Sequence, residues 1–132
     1  MLKITNAVIV STSLSIEDHG LLSAWLHLEF AGGGQGFGGY ALYLPKDYKH
    51  NKSVPNFAGH FIFRCLQIAG GGQWSKLPGR TIRIAHTMSS VYKIGHIIDD
   101  DWFCPTEDFK NMCDESAVQK ESVIVDKRKT QS

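Results

Sequence analysis

The chain is short of cysteine, has no long apolar run and carries no excess of either charge. Each shortage removes a class of protein. Its three cysteines, Cys65, Cys104 and Cys113, are odd in number, widely spaced and without a CxxC element. Neither a disulfide framework nor a zinc knuckle is expected from them. Cys65, set among Phe61, Leu66 and Ile68, reads as a small buried apolar residue. No apolar stretch approaches the roughly 20 residues of a membrane span. The first residues, Met1 to Thr5, alternate like a strand and lack the regions of a signal peptide. Both features point to a cytosolic protein. With 14 basic and 13 acidic residues the formal net charge is +1, so no broad field exists to hold duplex nucleic acid or an anionic membrane. A small anion in a local pocket stays open.

Catalytic signatures are missing too. There is no GxSxG elbow, and no cysteine sits where its thiol would be activated. What the chain has in plenty is glycine. Six of the nine residues from Gly32 to Tyr40 are glycine, between a strand-like segment, Leu21 to Phe30, and another, Tyr40 to Leu44. This run is not followed by Lys-Ser or Lys-Thr and leads into a strand, so it is no phosphate-binding loop. Glycine weakens strands, and a cluster of it marks a turn, a bulge or a close approach of ligand or backbone. Phe37 and Tyr40 within it offer flat faces to a ligand ring. A plain glycine-rich hairpin loop is the alternative.

At 132 residues the chain supports one domain with a modest core. Residues 2–14 read as a first strand with Ile4, Val8 and Val10 on one parity. A second strand alternates clearly, with Leu22, Ala24, Leu26, Leu28 and Phe30 on one face. A polar loop bounded by Pro45 and Pro55 follows, then a helix from Asn56 to Ala69 with Asn56 as N-cap and Gly70 to Gly72 as its stop. Phe57, Phe61, Cys65 and Ile68 form its apolar stripe, and His60, Arg64 and Gln67 its polar face. Two more strands span 79–86 and 89–98, and a closing helix or turn spans 105–114. The expected architecture is α+β: an antiparallel sheet of about five strands with one main helix packed on it. It forms a single ligand-binding domain over 1–114 with a polar tail over 115–132.

Several side chains are candidates for chemistry. Arg64 lies on the polar helix face, and Arg83 on the non-core parity of its strand; each is either a solvated residue or a phosphate grip. Tyr92 and His96 share a parity, and with His86 they complete a possible purine site. Asp18, His19, His96 and Asp100 could be drawn together as an oxygen-rich metal site, although their spacing matches no motif and an Asx-turn explains Asp18 as well. Trp25 and Trp102 are either core residues or aromatic subunit contacts.

The ordered set Glu17-Asp18-His19-Gly20, Trp25-Leu26, Gly36-Phe37-Gly38-Gly39-Tyr40, Phe61 to Arg64, Gly79 to Ile84, Ile94-Gly95-His96 and Asp101-Trp102-Phe103 resembles phage-encoded Thoeris anti-defence proteins of the first family. The resemblance spans roughly residues 4–110. It implies a non-enzymatic sponge without cofactor or metal, which binds a cyclic ADP-ribose isomer uncleaved in the host cytoplasm. It also implies a dimer, or a trimer of dimers, with ligand held across protomers and cyclic di- or trinucleotides as further ligands that would blunt CBASS immunity. In that family an aromatic platform and an amide lie ten residues apart along the last hairpin; His86 and His96 occupy those places here. A C-terminal arginine stacks from the partner protomer, and Lys110, with Asp114 one turn on, stands nearest. Arg64 is then the cation of a cyclic-oligonucleotide site. The alternative activity is a metal-dependent phosphodiesterase that degrades the same kind of signal.

Overall fold

The computed structural model describes residues 2–16, 21–40, 42 and 56–114. Its fold is α+β, with six antiparallel strands in the order β3-β2-β1-β4-β5-β6. The strands are β1 (Lys3–Ile16), β2 (Leu22–Phe30), β3 (Gly33–Gly38), β4 (Thr81–His86), β5 (Val91–Gly95) and β6 (Trp102–Phe103). Helix α1 (Phe57–Ala69) and a second helix, α2, over 105–114 cover one face. The polar loop 45–55, the Glu17–Gly20 turn and the tail 115–132 lie outside the described residues, as do Ala41, Tyr43 and Leu44 of the expected strand Tyr40 to Leu44.

The sheet has one strand more than the sequence suggests, because Trp102 and Phe103 pair as β6, and the third strand is the glycine run itself rather than the expected Tyr40 to Leu44. Gly33 to Gly38 pair in register with Phe30 to Trp25. Beyond it, Leu42 forms one further bridge to Leu22. Gly34, Gly36 and Gly38 share a face with Glu29, His27 and Trp25, opposite whom they sit, while Gln35 and Phe37 face the core side beside Leu28 and Leu26. The Trp25 indole does what the missing side chains cannot. It lies against Gly36 so closely that an added Cβ there would come within 2.9 Å of the ring. At Gly38 (φ 146°) an added Cβ would strike the Ala24 carbonyl, so glycine is required by conformation and by space.

In β1 the parity is reversed from expectation. Ala7 and Ile9 are buried, paired with Phe30 and Leu28, whereas Ile4 (65% exposed) and Val8 (38%) look out from the uncovered face. A bulge between Ile9 and Ser11 shifts the register, placing Thr12, Leu14 and Ile16 opposite Leu26, Ala24 and Leu22.

The aromatic core is Phe37, Phe61 and Phe103, all buried, with Phe37 stacked on Phe61 at 5.6 Å. Phe57, Tyr40 and Phe109 pack around it. Burial of each fully enclosed ring contributes roughly 1.5–3 kcal/mol. Helix α1 delivers its stripe as its periodicity suggests: Phe61, Cys65 and Ile68 are buried. Asn56 is the N-cap, its Oδ1 accepting from the Gly59 amide at 2.8 Å, and Gly70 closes the helix in the left-handed region. Burial pushes the Cys65 thiol well above its usual range, which fits an inert packing residue. No described helix is long and apolar enough to cross a membrane.

Candidate ligand-binding site

The sheet is curled so that its edge strand β3 approaches the β4–β5 turn, two strands away through β2 and β1. Gln35 makes the link, its Nε2 donating to the Met88 carbonyl at 2.9 Å and, more weakly, to Thr87 at 3.5 Å. The turn that receives it is ordered by Thr87, whose Oγ1 accepts from the Ser89 and Ser90 amides.

Under this link, at the end of the covered face that α1 does not reach, lies a cavity of about 550 Å³. Lys3, Thr5, Phe30, Gln35 and His86 line it together with the Gly32–Gly34 backbone. Its residues converge by register: Lys3 pairs with His86 and Thr5 with Ile84, so both β1 side chains share the face of the β4 histidine. His86 is the buried polar residue of the core face at 8% exposure. Its Nδ1 donates to the Thr87 carbonyl at 3.0 Å. In the neutral ring Nε2 is therefore an acceptor, and it takes the Thr5 hydroxyl at 3.1 Å. Phe30 packs against the imidazole at 4.6 Å. The cavity thus combines an aromatic wall, a cation, a hydroxyl and bare backbone. Such a set is chemically suited to a compact, partly anionic organic molecule.

The remaining sequence candidates serve elsewhere. Phe37 is a core residue, 1% exposed between Phe61 and Phe103, and offers no face to a ligand. Arg64 clamps α1 to the β6 end of the sheet: its guanidinium donates to Asp101 at 2.7 and 3.3 Å, to the Trp102 carbonyl at 2.9 Å and to Gln67 at 2.8 Å. Those bonds hold the Asp101 carboxyl below the usual carboxylate range. Arg83 lies across Trp102 at 4.8 Å and donates to the His96 and Asp99 carbonyls, both at 2.7 Å. Its donors fix a turn rather than await a phosphate. His96 has the opposite tautomer to His86, because Nδ1 accepts the Ile98 and Asp99 amides at 3.1 and 2.9 Å.

Tyr92 does not join His96. A register shift between Ala85 and His86 displaces it, and its hydroxyl donates to Glu107 on α2 at 3.4 Å. The neighbouring Cys104, and after it Glu107, push the Tyr92 phenol up to about 12. Lys110 and Asp114 are exposed on α2. Of the alternative metal set, Asp18 and His19 lie outside the described residues, Asp100 accepts from the Trp102 indole at 3.1 Å, and no group of metal ligands converges among the described residues.

Comparison with known proteins returns no match. No family model, curated protein or solved structure is similar to this chain. The site therefore rests on its own geometry. Of the expected ligand contacts, only His86 lines this cavity; Lys3, Thr5, Phe30 and Gln35 lie outside the expected set. Taking Ile4 and Val8 as the inward parity of β1 turns Lys3 and Thr5 outward, which hides them. Gln35 was legible in principle, since it and Phe37 alternate with Gly34, Gly36 and Gly38 in strand period.

Proposed function

We propose that the protein is a phage anti-defence sponge that binds and sequesters a cyclic ADP-ribose-type signalling nucleotide without cleaving it. The cavity beneath Gln35 is the observation that carries this reading, since Lys3, Thr5 and His86 converge there with glycine backbone. Its volume of about 550 Å³ lies in the range of small-molecule sites. Lys3 suits phosphate, the side-chain-free Gly32–Gly34 backbone lets it approach closely, and Phe30 with His86 suits a flat ring. In this role the protein needs affinity and slow release, not an acid–base pair. Micromolar to nanomolar capture corresponds to about 8 to 12 kcal/mol.

The order of motifs that resembles the Thoeris anti-defence family supports the same reading, and with it action in the host cytoplasm against Thoeris signalling. Cyclic di- and trinucleotides, and hence CBASS signals, are further ligands on that analogy. Two copies would pair over the uncovered sheet face, where Ile4 and Val8 are exposed. Arg64 enters neither contact in its present pairing, because its donors are spent on Asp101, Trp102 and Gln67.

Calorimetric titration with a cyclic ADP-ribose isomer tests the proposal. Saturable binding near one ligand per protomer is expected, with Lys3→Met lowering affinity about tenfold through loss of a charge-assisted contact. Wild-type affinity in Lys3→Met would remove this cavity from the account.

A further inference from the structure

Gln35 has a cavity on each side. Beyond it, away from Lys3, a second hollow of about 490 Å³ is lined by Trp25, Tyr40, Ser89 and Ser90 and by the backbone of Gly36 and Gly39. Among the described residues, no charged side chain lines it. Its chemistry is aromatic and hydrogen-bonding, whereas its neighbour holds Lys3 and His86. The two hollows share the Gln35 side chain as a wall. A neutral aromatic chamber beside a cationic one matches the two halves of a nucleotide.

We infer that the hollow between Trp25 and Ser89–Ser90 is the base subsite of the same nucleotide site, with the phosphates at the Lys3 end and Gln35 between the two. The inference rests on the nucleotide reading and names where each half of the ligand goes. Trp25 is the platform. Its indole is held flat by the bare backbone of Gly36 and Gly39 and lies parallel to His27, with 10° between the ring planes. A platform fixed in this way stacks on a base with little further loss of side-chain freedom. Ser89 and Ser90 supply hydroxyls and the glycines supply backbone groups, all of which suit the edge of a base or a ribose.

Gln35 contributes a second argument. Its Nε2 is committed to the Met88 and Thr87 carbonyls, while its Oε1 is buried without a partner among the described residues. A buried acceptor without a donor is costly. A ligand crossing from one hollow to the other brings hydroxyl or amino donors to this group and relieves that cost. Gln35 is thereby a specificity-determining residue, favouring a ligand that carries a donor between base and phosphate.

Titrations of the intact protein with inorganic pyrophosphate and with ADP-ribose test the assignment. ADP-ribose is expected to bind more tightly than pyrophosphate. Trp25→Leu is expected to weaken ADP-ribose about tenfold, the usual scale of a lost base stack, and to leave pyrophosphate unchanged. Trp25→Phe, which keeps a ring over the glycines, is expected to lose less, and Gln35→Ala to weaken ADP-ribose selectively. If Trp25→Leu lowers both affinities equally, or if ADP-ribose binds no better than pyrophosphate, the base subsite is wrong and the phosphate chamber stands. If neither probe binds the parent protein, the nucleotide reading falls with it.

Discussion

Arg64, Arg83 and Phe37 each carry a side chain suited to ligand contact, and each is occupied by its own protein. The difference between a gripping arginine and a bracing one lies in free donors, which sequence does not display. Arg64 is 17% exposed and bonded to a carboxylate, a carbonyl and an amide, so it ties α1 to β6. Because its hydrogen bonds lower the Asp101 pKa, the pair contributes stability above the unfolded-state carboxylate value of about 3.9. That contribution is lost as pH falls through the lower, folded value. Asp101 is 47% exposed, so solvent limits the effect to about 1 kcal/mol or less. Denaturant titrations should show Asp101→Asn less stable than the parent at neutral pH, with the gap closing below about pH 4. A gap that persists in acid would mean that packing rather than charge holds this corner. Phe37→Ala should cost about 3–5 kcal/mol by urea unfolding, as a core ring does; a loss under 1 kcal/mol would return Phe37 to the surface.

At the scale of elements, glycine is the deciding residue of β3. Its three outward positions, Gly34, Gly36 and Gly38, leave space that Trp25 and the curl of the sheet use. Gly38→Ala drives a methyl into backbone, whereas Gly36→Ala meets a side-chain ring. Thermal melts should therefore rank Gly38→Ala as the more damaging of the two, and the reverse order would show that Trp25 is the more rigid partner. Helix α1, its cap, its stripe and its glycine stop were all legible, because period, cap chemistry and terminator agree in Asn56, Phe61, Cys65 and Gly70. Strand β2 was legible for the same reason. Strand β3 was not, since glycine carries no β-propensity signal and its partner supplies the packing. The inward parity of β1 was hidden too, because the bulge and the pairing with Phe30 and Leu28 decide it over the size of Ile4 and Val8. Asn56→Ala should lower stability by about 1 kcal/mol, read by urea titration; no change would show that the Asn56 cap bond is not needed.

At the scale of the whole molecule, the described six-stranded curled sheet with helices on one face leaves a cavity at one end, and the groups that line it gather there. Lys3 and Thr5 come from the first strand, Gln35 from the third, and His86 from the fourth. No short sequence motif spans them. Their meeting depends on strand order and curl, which is why the α+β class was readable and the cavity was not. On the proposed function, protomers would pair over the face on which Ile4 and Val8 are exposed. Sedimentation of the parent and of Val8→Lys would test that pairing: a dimer reduced to monomer is expected, and a monomer in both would assign those side chains no partner.

The central claim is capture without cleavage. Its most direct measurement is to saturate the protein with a cyclic ADP-ribose isomer, remove unbound ligand, denature the complex by heat and weigh the released molecule by mass spectrometry. Release of the intact ring, in amounts approaching one per protomer, is the predicted result. A linear product, or a protein that retained nothing before heating, would contradict the account.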